Sequence, residues 1–154
     1  MLAGTPDPGE KNPARAGPFK DAFRHRFQLV YGTRGSAEEN AWALAKARFD
    51  AERFWYQGNA AVDVLPDTEF DPAREPERGV VLYGNARTHA AWNALLAGAA
   101  VQVEPGAVRV GEKTLREPGL ACLFAVPRPG GKQAMVAVIG GTDLAGMRDR
   151  KSVV

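Results

Sequence analysis

Three apolar segments in the first half of the chain have the length and composition of β-strands. They are residues 26–31 (RFQLVY), which end at Gly32, residues 61–65 (AVDVL) and residues 79–83 (GVVLY). Aromatic and β-branched residues favour extended backbone, and short apolar runs bounded by Gly or Pro are typical of strands. The third segment has no polar position, which predicts a strand that is covered on both faces of a sheet.

A helix is predicted after the first strand and another after the third. Ser36 and Glu39 have the spacing of a capping box, and apolar residues then recur every three or four positions, which predicts a helix over residues 37–57 that ends at Gly58. The second helix is predicted over residues 86–96, with Asn85 as its N-cap and Gly98 as the residue that ends it.

Short strands dominate the second half of the chain. Residues 101–103 and 107–110 flank the turn sequence Glu-Pro-Gly, which predicts a β-hairpin. Two further strands, residues 121–126 and 134–139, are joined by a turn, and a third helix is predicted to begin at residues 143–147. The whole order predicts an α/β fold: a mixed, mostly parallel sheet with flanking helices, Rossmann-like or flavodoxin-like in general shape.

The two ends of the chain differ from this pattern. Residues 1–18 are rich in Pro, Gly and charge, so we expect a linker, and they lack the basic start and apolar stretch of a secretory signal. Residues 149–154 (DRKSVV) match one reading frame of a common sequencing-adapter oligonucleotide, which meets a stop codon directly afterwards, so we expect a non-native tail. The predicted α/β domain is residues 19–148, incomplete at its C-terminus.

Composition narrows the class of partner. The chain has 154 residues, 45% of them hydrophobic and 25% charged, with a net charge of +2. Basic and acidic residues alternate, so no stripe of positive charge follows a phosphate backbone, and no apolar stretch is long enough to span a bilayer. We therefore expect neither a nucleic-acid nor a membrane partner.

Three side chains are predicted to serve packing rather than chemistry. Cys122 lies inside an apolar run, which predicts a buried thiol. Trp55 and Tyr56 lie near the end of the first helix, and we expect both rings to pack in the core because large aromatic side chains usually supply buried area.

No catalytic constellation or metal site is evident. Before the tail the chain has one serine, Ser36, and its surroundings lack the second glycine of a G-x-S-x-G elbow, so an N-cap explains it. His25, His89 and Cys122 are scattered without the close spacing of zinc ligands. We predict no catalytic residue, no metal and no cofactor.

Acidic pairs could supply acid and base chemistry, but their positions predict solvated surface instead. The candidates are Glu38 with Glu39, and Asp67 with Glu69 and Asp71.

Glycine turns after three strands are the remaining candidate site. If those strands are parallel, the turns meet at one edge of the sheet, where open α/β folds commonly bind ligands, and backbone N–H groups at a helix start can bind anions. The candidate ligand-binding residues are Gly32, Thr33, Arg34, Gly35, Ser36, Gly84, Asn85, Gly140, Gly141 and Thr142. The alternative is that these glycines meet only the conformational needs of tight turns.

Several segments together carry a family resemblance. The segments GPFKDAF (residues 17–23), RFQLVYGT (26–33), VVLYGN (80–85) and VAVIGGT (136–142) resemble an accessory domain downstream of the α/β-hydrolase domain in bacterial prolyl-oligopeptidase-like serine peptidases. The resemblance implies a parent hydrolase, often exported in that family, whose nucleophile, acid and histidine lie outside this chain. It also implies that the catalytic α/β-hydrolase domain of the same parent chain is the partner.

Three hypotheses follow from the sequence. The first is a non-catalytic accessory domain that packs on the catalytic domain or shapes access to it, which predicts an exposed apolar patch. The second is a module that binds a small ligand or anion at the glycine turns, which predicts a polar pocket there. The third is an independent enzyme, which requires a nucleophile beside a base, such as Ser36 within hydrogen-bond reach of His89.

Overall fold

The computed structural model describes residues 19–148. The predicted linker (residues 1–18) and tail (residues 149–154) lie outside these residues. After a short 3-10 helix, Phe19–Phe23, the strands of the main sheet are β1 (Phe27–Tyr31), β2 (Asp63–Pro66), β3 (Gly79–Tyr83), β7 (Ala121–Pro127) and β8 (Met135–Gly141).

The main sheet is mixed and mostly parallel, as predicted. Its five strands have the order β2-β1-β3-β8-β7. The neighbouring pairs from β2 to β8 are parallel, and β7 joins β8 as an antiparallel hairpin. After β1 the chain forms β2 on one side of β1 and then crosses to form β3 on the other side of β1. The direction in which strands are added therefore reverses between β1 and β3.

The first helix, α1 (Ala37–Gly58), connects β1 to β2 and begins as the capping box predicts. The Ser36 hydroxyl accepts from the Glu39 N–H, and the Glu39 carboxylate accepts from the Ser36 N–H. Gly58 is the last helical residue rather than the stop. Asn59 takes the left-handed conformation, with φ 48° and ψ 32°, which asparagine tolerates better than most residues.

One face of the sheet is covered by α1, the 3-10 helix and α3 (Leu144–Arg148). The core on this face has small residues of α1, Ala43 and Ala47, against Leu29 and Val81 of the sheet. Small side chains at these positions allow the helix to approach the sheet closely.

The other face is covered by α2 (Trp92–Leu96) and a second sheet of three antiparallel strands. These are β4 (Val101–Glu104) and β5 (Ala107–Val110), which form the predicted hairpin, and β6 (Lys113–Leu115), which the sequence did not reveal. Trp92, Val103 and Val108 pack here with Cys122, whose predicted burial is confirmed.

The second helix is much shorter than predicted. Only α2 is α-helical, because the N–H groups before it bond to other partners than a helix would supply. The Asn85 side chain accepts from N–H groups of the next turn as an N-cap would, but the Ala90 N–H donates to Asp67 and the Ala91 N–H donates to the His89 ring. Residues 86–91 therefore cross the end of the sheet as a loop instead of continuing as a helix.

The predicted burial of Trp55 and Tyr56 is wrong. Trp55 is 56% exposed and Tyr56 is 84% exposed, and Phe49 on the same helix is 52% exposed. The helix still lies on the core here, because the Phe54 ring packs on Phe23 and Phe27. Trp55 and Tyr56 follow Phe54 at steps of about 100° around the helix, which turns them away from the sheet.

Replacing Gly140 by Ala tests how closely the ends of β3 and β8 approach. A Cβ at Gly140 would lie 1.9 Å from the Gly84 carbonyl oxygen, so we expect the variant to lose about 3 kcal/mol of unfolding free energy. Urea unfolding measures it. Gly98→Ala is the matched control, because a Cβ there meets nothing within 4 Å; equal losses in both variants would contradict the close approach.

Candidate functional site

The predicted glycine turns do meet at one edge of the sheet. The strands β1, β3 and β8 are parallel neighbours, so the turns that follow them gather at their carboxyl ends. This is also the point where the strand order reverses, which is where open α/β sheets commonly bind ligands. We call this region the carboxyl edge, and it is the candidate site.

A buried carboxylate, Asp67, ties three loops of the carboxyl edge together. It follows β2 directly, and its Oδ1 accepts from the Thr33 hydroxyl at 2.6 Å. Its Oδ2 accepts from the Thr33 N–H at 3.2 Å and the Ala90 N–H at 2.6 Å. The expectation that Asp67 is solvated is therefore wrong; its place directly after a strand was the signal that could have indicated a role at this edge.

A second buried carboxylate, Glu39, joins α1 to the loop after β3. Its side chain completes the capping box, and both of its oxygens lie 3.2 Å from Nη2 of Arg87. Glu39 is therefore not solvated as predicted, whereas its neighbour Glu38 is exposed. The ion pair is half open to water, because the Arg87 side chain is exposed.

Every backbone N–H in the first turn donates to an acceptor of the protein. The Gly32 N–H donates to the Tyr83 carbonyl at 3.1 Å and the Arg34 N–H to the Thr88 carbonyl at 3.0 Å. The other three donate to side chains: Thr33 to Asp67, Gly35 to Asn40 and Ser36 to Glu39. An anion at this turn would have to displace one of these bonds or rely on side chains alone.

The second and third turns are also bonded internally. The Gly84 N–H donates to the Ile139 carbonyl, and the fully buried Asn85 donates from Nδ2 to the Gly141 carbonyl at 3.0 Å. The Thr142 hydroxyl accepts from the Leu120 N–H at 3.1 Å. These residues join the carboxyl ends of β3 and β8 to each other and to the segment before β7.

Close approach of backbones accounts for Gly32 and Gly84. A Cβ on Gly32 would lie 2.4 Å from the Thr88 carbonyl oxygen. Gly84 has φ +138°, a backbone conformation that residues with a side chain rarely adopt, and a Cβ there would lie 2.5 Å from the Thr88 hydroxyl. Both glycines allow the loop after β3 to lie directly on the carboxyl edge, so the loop occupies the space where a ligand would enter.

Of the ten predicted site residues, Arg34 and Ser36 are the exposed ones, and the side chain of Arg34 is the group available to a charged ligand. Binding at the glycine turns remains a prediction.

The structure does not bring a nucleophile and a base together at this edge. Ser36 is engaged in the capping box. His89 is buried; its Nε2 lies 3.1 Å from the Val30 carbonyl oxygen, and its Nδ1 accepts from the Ala91 N–H. Burial lowers the pKa of His89, so the ring is neutral with its proton on Nε2. Both ring nitrogens are occupied by the backbone, which leaves none to accept a proton from a substrate.

Other reactive groups in the described part of the chain are also buried or isolated. Burial raises the pKa of the Cys122 thiol to about 11, so it is protonated and a poor nucleophile. Within residues 19–148 no group of three or more His, Cys, Asp or Glu side chains could hold a metal ion. Among the helices of that same stretch, none has both the length and the apolar character needed to cross a membrane.

Comparison with known families, curated proteins and solved structures gave no match to this chain.

Removing the Asp67 carboxylate tests its role as a tie. Asp67→Ala leaves the donors of Thr33 and Ala90 without their acceptor in a buried place, so we expect a loss of about 3 kcal/mol in unfolding free energy. Urea unfolding measures it. Thr68→Ala, at the exposed next position, is the control and should change stability by less than about 0.5 kcal/mol. A loss below about 1 kcal/mol for Asp67→Ala would contradict the tie.

The buried His89 predicts acid sensitivity. Its pKa is lowered in the folded state, so the unfolded chain binds more protons below the ordinary value of 6.5, and stability falls as pH drops through that value. The slope contributed by His89 approaches about 1.4 kcal/mol per pH unit. Unfolding of wild type and His89→Gln between about pH 7.5 and pH 5 measures it, with exposed His25→Gln as control. An unchanged slope in His89→Gln would overturn the assignment.

Proposed function

We propose that this chain is a non-catalytic accessory domain of a prolyl-oligopeptidase-like serine hydrolase, and that it packs on the catalytic α/β-hydrolase domain of its parent chain. The resemblance of the segments around β1, β3 and β8 suggests the parent. The observation that supports the proposal is a group of exposed aromatic side chains on α1, because the hypothesis expects exposed apolar side chains where the partner packs.

The patch consists of Phe49, Trp55 and Tyr56, and we call it the aromatic face. Phe49 and Tyr56 are seven residues apart, so they lie on the same side of the helix two turns from each other, and Trp55 lies about 100° around the helix from Tyr56. Three large aromatic rings in the C-terminal half of this helix are exposed to solvent. Aromatic residues are enriched at the centres of protein interfaces, so such rings are candidates for an interface. Their exposure is explained if another domain covers them.

Charge at the edge of the aromatic face suggests the character of the covering surface. Lys46 and Arg53 lie over the Phe49 ring, at 5.5 and 5.8 Å from its centroid. These cations would remain at the rim when the rings are buried. Lys46 is already paired with Asp50, so Arg53 is the cation for which an apolar partner surface would supply an acidic group at its border.

The carboxyl edge favours the accessory role over the ligand-binding alternative. The backbone N–H groups at the Gly32 and Gly84 turns donate to protein acceptors, and the loop after β3 lies against them. A site built for an anion would present free donors instead. The proposal therefore assigns the carboxyl edge a structural role.

The finer fold assignment belongs to the same proposal. We infer a flavodoxin-like or Rossmann-like general shape, supported by the strand order β2-β1-β3 and by helices on both faces of the parallel strands. The C-terminal incompleteness that the resemblance implies is part of it: further elements of the parent would follow β8 and α3.

Truncating the aromatic face tests the proposal. The chain is mixed with the α/β-hydrolase domain encoded upstream of it in the parent gene, and the dissociation constant is measured by calorimetry. Replacing Phe49, Trp55 and Tyr56 together by Ala should weaken binding by about 100-fold or more, because buried aromatic anchors dominate interface energies.

The control replaces other exposed apolar residues. Val110 and Leu115 of the second sheet are 39% and 41% exposed, and their Ala variants should bind as the wild type does. Unchanged thermal unfolding of each variant shows that the fold is intact. Full binding by the triple variant, or a parent gene without an α/β-hydrolase domain, would contradict the proposal.

A further inference from the structure

Gln28 is a polar residue within a strand of otherwise apolar positions. It is 6% exposed and lies on β1 between Phe27 and Leu29. Every other buried polar side chain of residues 19–148 takes part in a hydrogen bond. The Gln28 amide has no such bond with any of those residues, and it is not among the solvent-shielded polar atoms without a partner, so its atoms contact solvent. A largely buried side chain whose amide is open to solvent at its end can exchange that solvent for a polar group of a ligand.

Gln28 lines a cleft of about 330 Å³ on the face of the sheet opposite α1. It pairs in register with Asp63 on β2, and Leu65 and Phe70 supply apolar surface beside it. The volume is at the lower end of the range for small-molecule sites, about 300 Å³ and above. The small exposed part of Gln28 thus faces a space that a compact ligand could fill.

The outer wall of the cleft belongs to the connection between β2 and β3, and a buried arginine holds that wall. Arg128 donates to the carbonyl oxygens of Pro72 at 3.1 Å and Arg74 at 2.8 Å. Arg78, also at the cleft, is paired with Asp63 and Glu75. The wall is therefore fixed without a ligand, which reduces the entropy that binding would cost.

The charges around the cleft favour a cation. Its lining includes four carboxylates and two guanidinium groups, a net charge of −2. The carboxylates of Glu69 and Asp71 are exposed and form no ion pair with the described residues; Asp71 Oδ1 accepts from the Ala73 N–H, so its Oδ2 and the Glu69 carboxylate are available to a ligand. Since no group of three or more potential ligand side chains within residues 19–148 could hold a metal ion, the diffuse acidic charge suits an organic cation better.

We propose that this cleft binds an amino-acid-sized organic cation that carries a guanidinium or ammonium group beside a carbonyl oxygen. The cationic group lies against Glu69 and Asp71, its aliphatic stem contacts Leu65 and Phe70, and its carbonyl oxygen accepts from the Gln28 amide. The site is on the opposite face of the sheet from the aromatic face, so it does not depend on the proposed docking.

Binding of L-argininamide to the full 154-residue chain tests this site. Calorimetry should show saturable binding with a dissociation constant of about 1 mM or below, as expected for a ligand of this size. L-citrullinamide has nearly the same shape without the guanidinium charge, and it should bind at least about fivefold more weakly.

Gln28→Leu gives a readout that a purely structural role would not. Leu keeps the approximate size but removes the amide, which is open to solvent, so we expect the melting temperature to change by less than about 2 °C. Binding of L-argininamide should weaken about tenfold at the same time. Glu69→Gln should also weaken binding, whereas Glu112→Gln, an exposed change outside the cleft, should not.

Three results would overturn the site. They are the absence of saturable binding to the wild type, binding by Gln28→Leu as tight as the wild type, and a melting temperature of Gln28→Leu lower by more than about 5 °C, which would show that the amide already has a partner in the folded chain.

Discussion

The arrangement of the carboxyl edge depends on the hydrogen bonds of one buried carboxylate, Asp67. Three loops follow three neighbouring parallel strands, and each would otherwise leave backbone N–H groups unsatisfied beneath its neighbours. Asp67 accepts from Thr33 after β1 and from Ala90 after β3, so it fixes both loops relative to β2. With these loops fixed, the segment after β3 lies over the edge and the glycines beneath it must lack side chains.

The carboxyl edge of this chain differs from that of α/β proteins that bind ligands or carry out chemistry in the same region. Phosphate-binding turns keep their N–H groups free and point them at the ligand. Here the corresponding groups complete the protein's own hydrogen-bond network, and the one histidine at the edge, His89, is held neutral between backbone groups. The exposed groups with capacity to interact lie elsewhere: on the C-terminal half of α1, and in the cleft beside Gln28 on the opposite face.

Features encoded by neighbouring residues could be predicted from the sequence, and features that depend on distant contacts could not. The strand β3 and the capping box at Ser36 are local patterns, so they were predicted correctly. Burial of Asp67 requires donors 34 and 23 residues away, which no local pattern reveals. The exposure of Trp55 depends on how wide a side of α1 its distant neighbours cover, and the shortened α2 depends on contacts of residues 86–90 with other loops.

Hydrogen exchange on the proposed parent protein is the most direct test of our central proposal, that a catalytic domain covers the aromatic face. Exchange is compared between this chain alone and the same segment within the intact parent. We expect slower exchange of the amides in residues 49–58 of α1 when the parent is intact, with little change in residues 32–36 and 84–90. Protection confined to those two turns, or no difference anywhere on α1, would contradict the account.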